Sequence, residues 1–357
     1  LFSQWFFESF PTWVLLAEWG LCSAVILFLG SKLTQQADNI AEAFGLARGW
    51  VGLLMLATIT SMPELVTSGT AVWLEQPDLS MGNIYGSCCF NIAIISLLNI
   101  IRKKGSLLTD ANSAHVLSSA FGITLIVMSM LLLVAIQSFG AGGAEANIAE
   151  WAVSAMVFGT YLASMRMMYR YEKEQALAAA GDVPLSGEKP KGLVGGFALT
   201  GVLVIVASIW LTKTGDVLQD HPIDFWGGRK LGGSFVGLFF LAIATSLPEI
   251  TTSFAAVRLG HVDLALGNLF GSNMFNIFVL PFLKLTSAAR GQAVIFNTET
   301  FNFNTALFAG GLAILLTAVA IAGLTYRSKR KLLRFGFDSI LIAIIYMAGM
   351  AFMLVGS

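Results

Sequence analysis

Residues 51–92 read VGLLMLATITSMPELVTSGTAVWLEQPDLSMGNIYGSCCFNI, and residues 236–277 read VGLFFLAIATSLPEITTSFAAVRLGHVDLALGNLFGSNMFNI. The two stretches align without a gap and are identical at about half of their positions. At the heart of each a proline precedes a glutamate, as Thr60-Ser61-Met62-Pro63-Glu64 and Thr245-Ser246-Leu247-Pro248-Glu249, inside an otherwise apolar run. An ionisable side chain at membrane depth is expensive and marks a functional site by default. Here it occurs twice, at matched positions.

The flanking sequence sets the frame for that repeat. Apolar residues make up 56% of the chain and charged residues 12%, against about 25% charged in a soluble domain. Apolar segments near the roughly 20 residues that cross a bilayer recur from end to end. They predict an all-α membrane protein with ten transmembrane helices, at 13–33, 46–74, 79–101, 114–136, 149–169, 193–212, 230–258, 264–284, 303–324 and 335–355. Residues 171–192, with Pro184, Pro190 and several charges, read as a solvated linker between a first half (1–170) and a second half (193–357). The aromatic opening Trp5-Phe6-Phe7 reads as an interfacial segment rather than a signal peptide.

Charge supports the count. With ten spans, sixteen of the 21 Lys and Arg residues fall on the linker's side of the membrane, and Lys213, Arg229, Lys230, Lys284 and Arg290 fall on the other. The positive-inside rule then puts the linker in the cytoplasm and both termini outside. Five helices separate equivalent points of the repeat. That number is odd, so the halves cross the membrane in opposite directions as inverted repeats, an arrangement that places substrate near the midplane at their interface.

The chemistry follows from residue type. Pro63 and Pro248 have no N–H for the carbonyls of Ile59 and Ala244, so helices 2 and 7 are expected to break there. Carbonyl oxygens freed by a break are tolerated at membrane depth only where protein or a watery cavity satisfies them. Glu64 and Glu249 neutralise one divalent or two monovalent cations, and a hard ion such as calcium takes six to eight oxygens. Thr60, Ser61, Thr245 and Ser246 add hydroxyls. Ser87 and Asn91, like Ser272 and Asn276, are spaced i, i+4 and share a helix face. Gly82, Gly86, Gly267 and Gly271 read as small residues for close helix packing, Asp78 and Asp263 as helix N-caps, and Cys88 and Cys89 as packing residues. No disulfide framework and no histidine ligand spacing are visible.

These motifs, with Gly82-Asn83-Ile84-Tyr85-Gly86-Ser87 and Gly267-Asn268-Leu269-Phe270-Gly271-Ser272, resemble the alpha repeats of the cation/calcium exchanger superfamily, which contains the sodium/calcium exchangers. The resemblance implies two inverted five-helix halves and a central site built by helices 2, 3, 7 and 8, with helices 1 and 6 sliding to give alternating access. It implies that Thr60, Ser61, Glu64, Ser87, Asn91, Thr245, Ser246, Glu249, Ser272 and Asn276 are the cation ligands. It also implies a secondary antiporter that moves Ca2+ against Na+, with a proton-coupled divalent exchanger as the alternative. Two departures stand out. Asn276 stands where sodium/calcium exchangers usually have Asp, and Cys88 stands where Asn commonly follows Gly-Ser.

Other classes fit poorly. Neither a His-Glu-x-x-His zinc motif nor a Gly-x-Ser-x-Gly elbow occurs, so no enzyme is expected. The expected partners are inorganic cations and membrane lipid, with no nucleic acid and no resident cofactor, and the sequence leaves the oligomeric state open. A plasma or inner membrane is the expected location.

Overall fold

The computed structural model describes residues 11–102, 106–139, 144–180, 192–220, 222–223, 229–230, 235–296, 301–327, 331–332 and 335–356. The aromatic opening at 5–7, half of the expected linker and much of the basic 327–334 loop lie outside them. Long helices dominate: α1 (Thr12–Phe44), α2 (Arg48–Thr60), α3 (Met62–Trp73), α4 (Pro77–Arg102), α5 (Leu107–Asp110), α6 (Ala114–Phe139), α7 (Ala144–Ala180), α8 (Leu193–Asp220), α9 (Phe235–Arg258), α10 (Val262–Phe278), α11 (Leu280–Ala289), α12 (Phe303–Tyr326) and α13 (Phe337–Gly356). Two antiparallel pairs of two-residue strands, Pro222–Ile223 with Arg229–Lys230 and Lys331–Leu332 with Phe335–Gly336, are the sheet content among the described residues. Seven spans among the described helices, one of them α10 and α11 together, are long and apolar enough to cross a membrane, and the bent pair α2–α3 makes eight when counted as one span.

The first Pro-Glu motif breaks its helix as its chemistry demands. α2 contains a π-helical turn, Gly52–Leu56, of the kind that recurs at functional sites. The chain then leaves helical geometry at Ser61 (φ −93°, ψ 5°) and restarts at Met62, with the two segments bent by 41°. Pro63 thereby falls in the first turn of α3, where its missing N–H deprives the helix of no bond. The second motif differs from expectation. α9 runs unbroken through Pro248. Thr251 and Thr252 donate to the carbonyls of Leu247 and Pro248 at 2.8 and 2.7 Å, binding the proline turn to the next one. In the first copy Ser68, matched to Ser253, reaches across to the Ser80 carbonyl on α4 at 3.4 Å. Matched sequences thus give one broken and one continuous helix.

Packing sorts the helices into centre and rim. In the span formed by α10 and α11, 83% of the membrane-length window is buried, and in α4 67%, against 17% in α1 and 28% in α8. The central contact is between α2 and α10, and it is nearly backbone on backbone. A Cβ at Gly267 would strike the Gly49 carbonyl, one at Gly271 the Leu53 carbonyl, and one at Gly52 the Leu264 carbonyl. The close-packing role expected of the glycines therefore holds for Gly267 and Gly271. Gly82 and Gly86 are exposed, and a Cβ added at either would meet no described atom within 4 Å. The residues equivalent to Gly49 and Leu53 in the second copy are 234 and 238, whose side chains lie outside the described set. Gly267→Ala is expected to lower stability by about 1–3 kcal/mol through overpacking against backbone, and Gly82→Ala to change it by no more than about 0.5 kcal/mol. Thermal unfolding of the detergent-purified variants checks the contrast, and equal shifts would contradict it.

Two further expectations are corrected. Asp78 and Asp263 do not cap their own helices; each reaches into the other half of the chain. Asp78 Oδ1 accepts from the Asn302 backbone N–H (2.9 Å) at the start of α12, and Asp263 Oδ1 accepts from the Asn112 N–H (2.7 Å) just before α6. Both aspartates lie in the first turn of their helix, past the cap position, with a side chain free to reach outward. The linker also begins later than 171, because α7 continues to Ala180. The run Glu172-Lys-Glu-Gln-Ala-Leu-Ala-Ala-Ala consists of strong helix formers, and Glu172 is buried on that helix.

Candidate cation-binding site

The residues singled out by the repeat converge. Thr60 and Ser61 sit at the α2–α3 break, Glu64 in the first turn of α3, Ser87 and Asn91 on α4, Thr245, Ser246 and Glu249 around the Pro248 turn of α9, and Ser272 and Asn276 on α10. All ten are at most 5% exposed. Bonds within and between the two copies tie them into one cluster. Ser61 Oγ donates to Glu249 Oε1 at 3.1 Å, and Ser272 Oγ donates to the same oxygen at 3.4 Å. Thr60 Oγ1 lies 3.4 Å from Ser272 Oγ. Ser87 approaches the Glu64 carboxyl group, and Glu64 and Glu249 are near enough to repel each other as anions.

Unspent oxygen is the site's defining property. Among the described residues, Glu64 Oε2, Glu249 Oε2, Asn91 Oδ1 and Asn276 Oδ1 are buried without a hydrogen-bond partner. A buried polar atom left without a partner is destabilising by about 1–3 kcal/mol, more if charged, and native proteins tolerate few. Four acceptor oxygens of this kind, two from each copy and two of them on carboxylates, are a donor set for a hard cation. No cluster of three or more His, Cys, Asp or Glu occurs among the described residues. The chemistry is that of an oxygen site with limited negative charge.

A second ring of side chains holds this set in place, and sequence reasoning gives it no role. Asn268 Oδ1 accepts from Thr60 Oγ1 (3.2 Å), while its Nδ2 donates to Thr252 (3.0 Å) and Ser253 (3.1 Å). Asn83, the matched residue, donates to Ser68 (2.9 Å) and to the Glu64 backbone carbonyl (3.4 Å). The signal is there to be found. Residues 83, 87 and 91, like 268, 272 and 276, follow one another at intervals of four and so share a helix face.

Charged groups away from the cluster also find partners. Lys284, a loop charge by sequence, is fully buried on α11. It donates to Glu150 Oε2 (2.7 Å), Asn147 Oδ1 (2.8 Å) and the Ala293 carbonyl (2.6 Å). Glu150 Oε1 takes the N–H groups of Ile295 (2.8 Å) and Phe296 (3.1 Å). His115 contacts Asp263 at 3.0 Å, and Asp38 near the end of α1 contacts both Arg48 (2.5 Å) and His261 (3.2 Å). All three cysteines are free thiols. A hollow of about 350 Å³ lies elsewhere, between α3 and α11, and its lining, which includes Leu65, Trp73 and Phe282, carries none of the ten residues.

The chain is 24% identical over 258 residues to the inner membrane protein YrbG of Escherichia coli, covering 72% of this chain and 74% of that one. It is 25% identical over 282 residues to the sodium/calcium exchanger MaX1 of Methanosarcina acetivorans, covering 73% and 79%. Its fold matches a solved structure of the sodium-calcium exchanger NCX_Mj soaked with Na+ and Sr2+, with a TM-score of 0.66 at 17% identity over 96% of this chain and 99% of that one. The family described as sodium/calcium exchanger protein matches residues 15–170 and 192–355, and together with the membrane-length helices this makes the chain an integral, multi-pass membrane protein that belongs to that family.

Proposed function

We propose that this protein is a secondary active antiporter that moves Ca2+, or a similar divalent cation, in exchange for Na+ by alternating access. The observation that carries the reading is the set of four unpartnered buried oxygens on Glu64, Glu249, Asn91 and Asn276. Two carboxylates balance one Ca2+ or two Na+, so the same oxygens serve either cargo in turn. An empty site would leave two buried anions facing each other, a state that resists reorientation and so couples the two fluxes.

The same reading includes ten spans, with α2–α3 as one and α10–α11 as another, arranged as two inverted five-helix halves. Both termini are extracytoplasmic, and the segment joining α7 to α8 is cytoplasmic. A plasma or inner membrane suits the resemblance to the E. coli inner membrane protein. The protein acts as a transporter and not as an enzyme, and needs no resident cofactor.

The test is flux with each cation omitted in turn. Proteoliposomes loaded with Na+ and diluted into Na+-free buffer should take up calcium-45, and uptake should vanish without the Na+ gradient. Uptake driven by a pH gradient in Na+-free buffer would instead establish the proton-coupled alternative. Calcium entry that needs neither counter-ion would overturn antiport altogether.

A further inference from the structure

Asn91 and Asn276 occupy matched positions of the repeat and are both buried, yet the protein holds them differently. Asn91 Nδ2 donates to Asn273 Oδ1 at 3.0 Å, and Asn273 Nδ2 donates to the Cys88 backbone carbonyl at 3.1 Å. The chain of bonds is self-consistent. A backbone carbonyl accepts only from the NH2 of Asn273, which turns the Asn273 oxygen to Asn91 and so turns the Asn91 NH2 away from the cation site. Asn91 is left with Oδ1 as its single unpartnered atom.

The residue matched to Asn273 in the first copy is Cys88. Its thiol points at the Asn273 carbonyl at 3.8 Å and lies beside the Asn276 amide. Sulfur is a weak acceptor and donor, and it does not do for Asn276 what Asn273 does for Asn91. Beyond this weak contact with the Cys88 sulfur, neither Nδ2 nor Oδ1 of Asn276 has a hydrogen-bond partner among the described residues. Among the described residues only the weak thiol contact bears on which of the two faces the site.

We propose that Asn273 is a positioning residue that fixes the Asn91 carbonyl toward the cation, and that Cys88, by lacking an amide, leaves Asn276 as an adjustable ligand. The cation site thus has one preset amide and one that must be oriented by the ion itself. This rests on the cation-exchange reading above. It adds to that reading a source of asymmetry that the ten ligand residues, which match pairwise, do not contain.

The test measures Ca2+ affinity directly, by calcium-dependent thermal stabilisation and by calorimetry on the purified full-length protein. N273C should weaken Ca2+ binding about five- to tenfold, the change expected when one orienting hydrogen bond is lost. C88N should tighten it about three- to tenfold by clamping Asn276. The exchanged pair C88N/N273C should return to within about twofold of wild type, because one clamp is restored on the opposite amide. A purely structural role for Asn273 as interhelical glue predicts the reverse, a double variant no better than N273C. Unchanged affinity in C88N, or no recovery in the double variant, would overturn the proposal while leaving exchange intact. A wild-type protein that binds no Ca2+ would overturn both readings.

Discussion

Glu249→Gln should abolish coupled exchange, lowering Na+-driven calcium uptake by two to three orders of magnitude while the protein still folds. Glu249 is 1% exposed, its Oε1 receives Ser61 and Ser272, and its Oε2 has no protein partner among the described residues. At about 4 Å and an effective dielectric constant of ~20, one unit charge contributes about 4 kcal/mol toward a bound monovalent ion. That alone corresponds to about a thousandfold in affinity. Glutamine keeps the shape and one acceptor oxygen for Ser61 and Ser272, and it relieves the repulsion with Glu64. The unliganded variant should therefore melt no lower than wild type, and Ca2+ should no longer raise its melting temperature. Wild-type flux in this variant would remove Glu249 from the site.

The second large effect lies at another buried carboxylate. Lys284→Met should destabilise the protein by about 3–5 kcal/mol, the usual result of leaving one member of a buried ion pair alone. Lys284 and Glu150 are each 1% exposed by side chain and 2.7 Å apart, and the lysine's other bonds go to Asn147 and the Ala293 carbonyl. Together they fasten the start of α7 to α11 and to the segment that follows it. The double variant Lys284→Met/Glu150→Gln should recover most of the loss. Gln supplies an uncharged acceptor for the Ile295 and Phe296 N–H groups that Glu150 now holds. Denaturation of the purified variants in detergent decides it, and a double variant as unstable as the single one would show that the charge pair is not the cause.

The central cluster is legible in the sequence because its chemistry is local and doubled. A proline, a glutamate and neighbouring hydroxyls at fixed spacing announce a broken helix with spare oxygen, and repetition tells cause from accident. The ten residues read this way all lie buried together. What stays hidden depends on partners distant in sequence. Lys284 finds Glu150 across 134 residues, Asp78 finds Asn302 across 224, and no pattern near any of the four predicts the pairing. Asn273 is visible as an identity but not as a clamp, because its action runs through the backbone of Cys88 on another helix. The continuity of α9 escapes the sequence because a lost N–H gives only the tendency to break. Whether a turn yields depends on packing around it that the local sequence does not contain.

The paired aspartate contacts have a mechanical meaning. With Asp78 stitched to Asn302 and Asp263 to Asn112, each half holds the start of a helix belonging to the other. The glycine seam between α2 and α10 locks the same boundary in the middle. Rocking one half against the other like two rigid plates, a common route in transporters with repeats, would tear both stitches and open that seam. The alternating access proposed above therefore calls for movement away from this boundary. In that proposal the least embedded helices, α1 and α8, slide along an interlocked block like a runner on a fixed rail, since neither carries a stitch or a glycine of the α2–α10 seam.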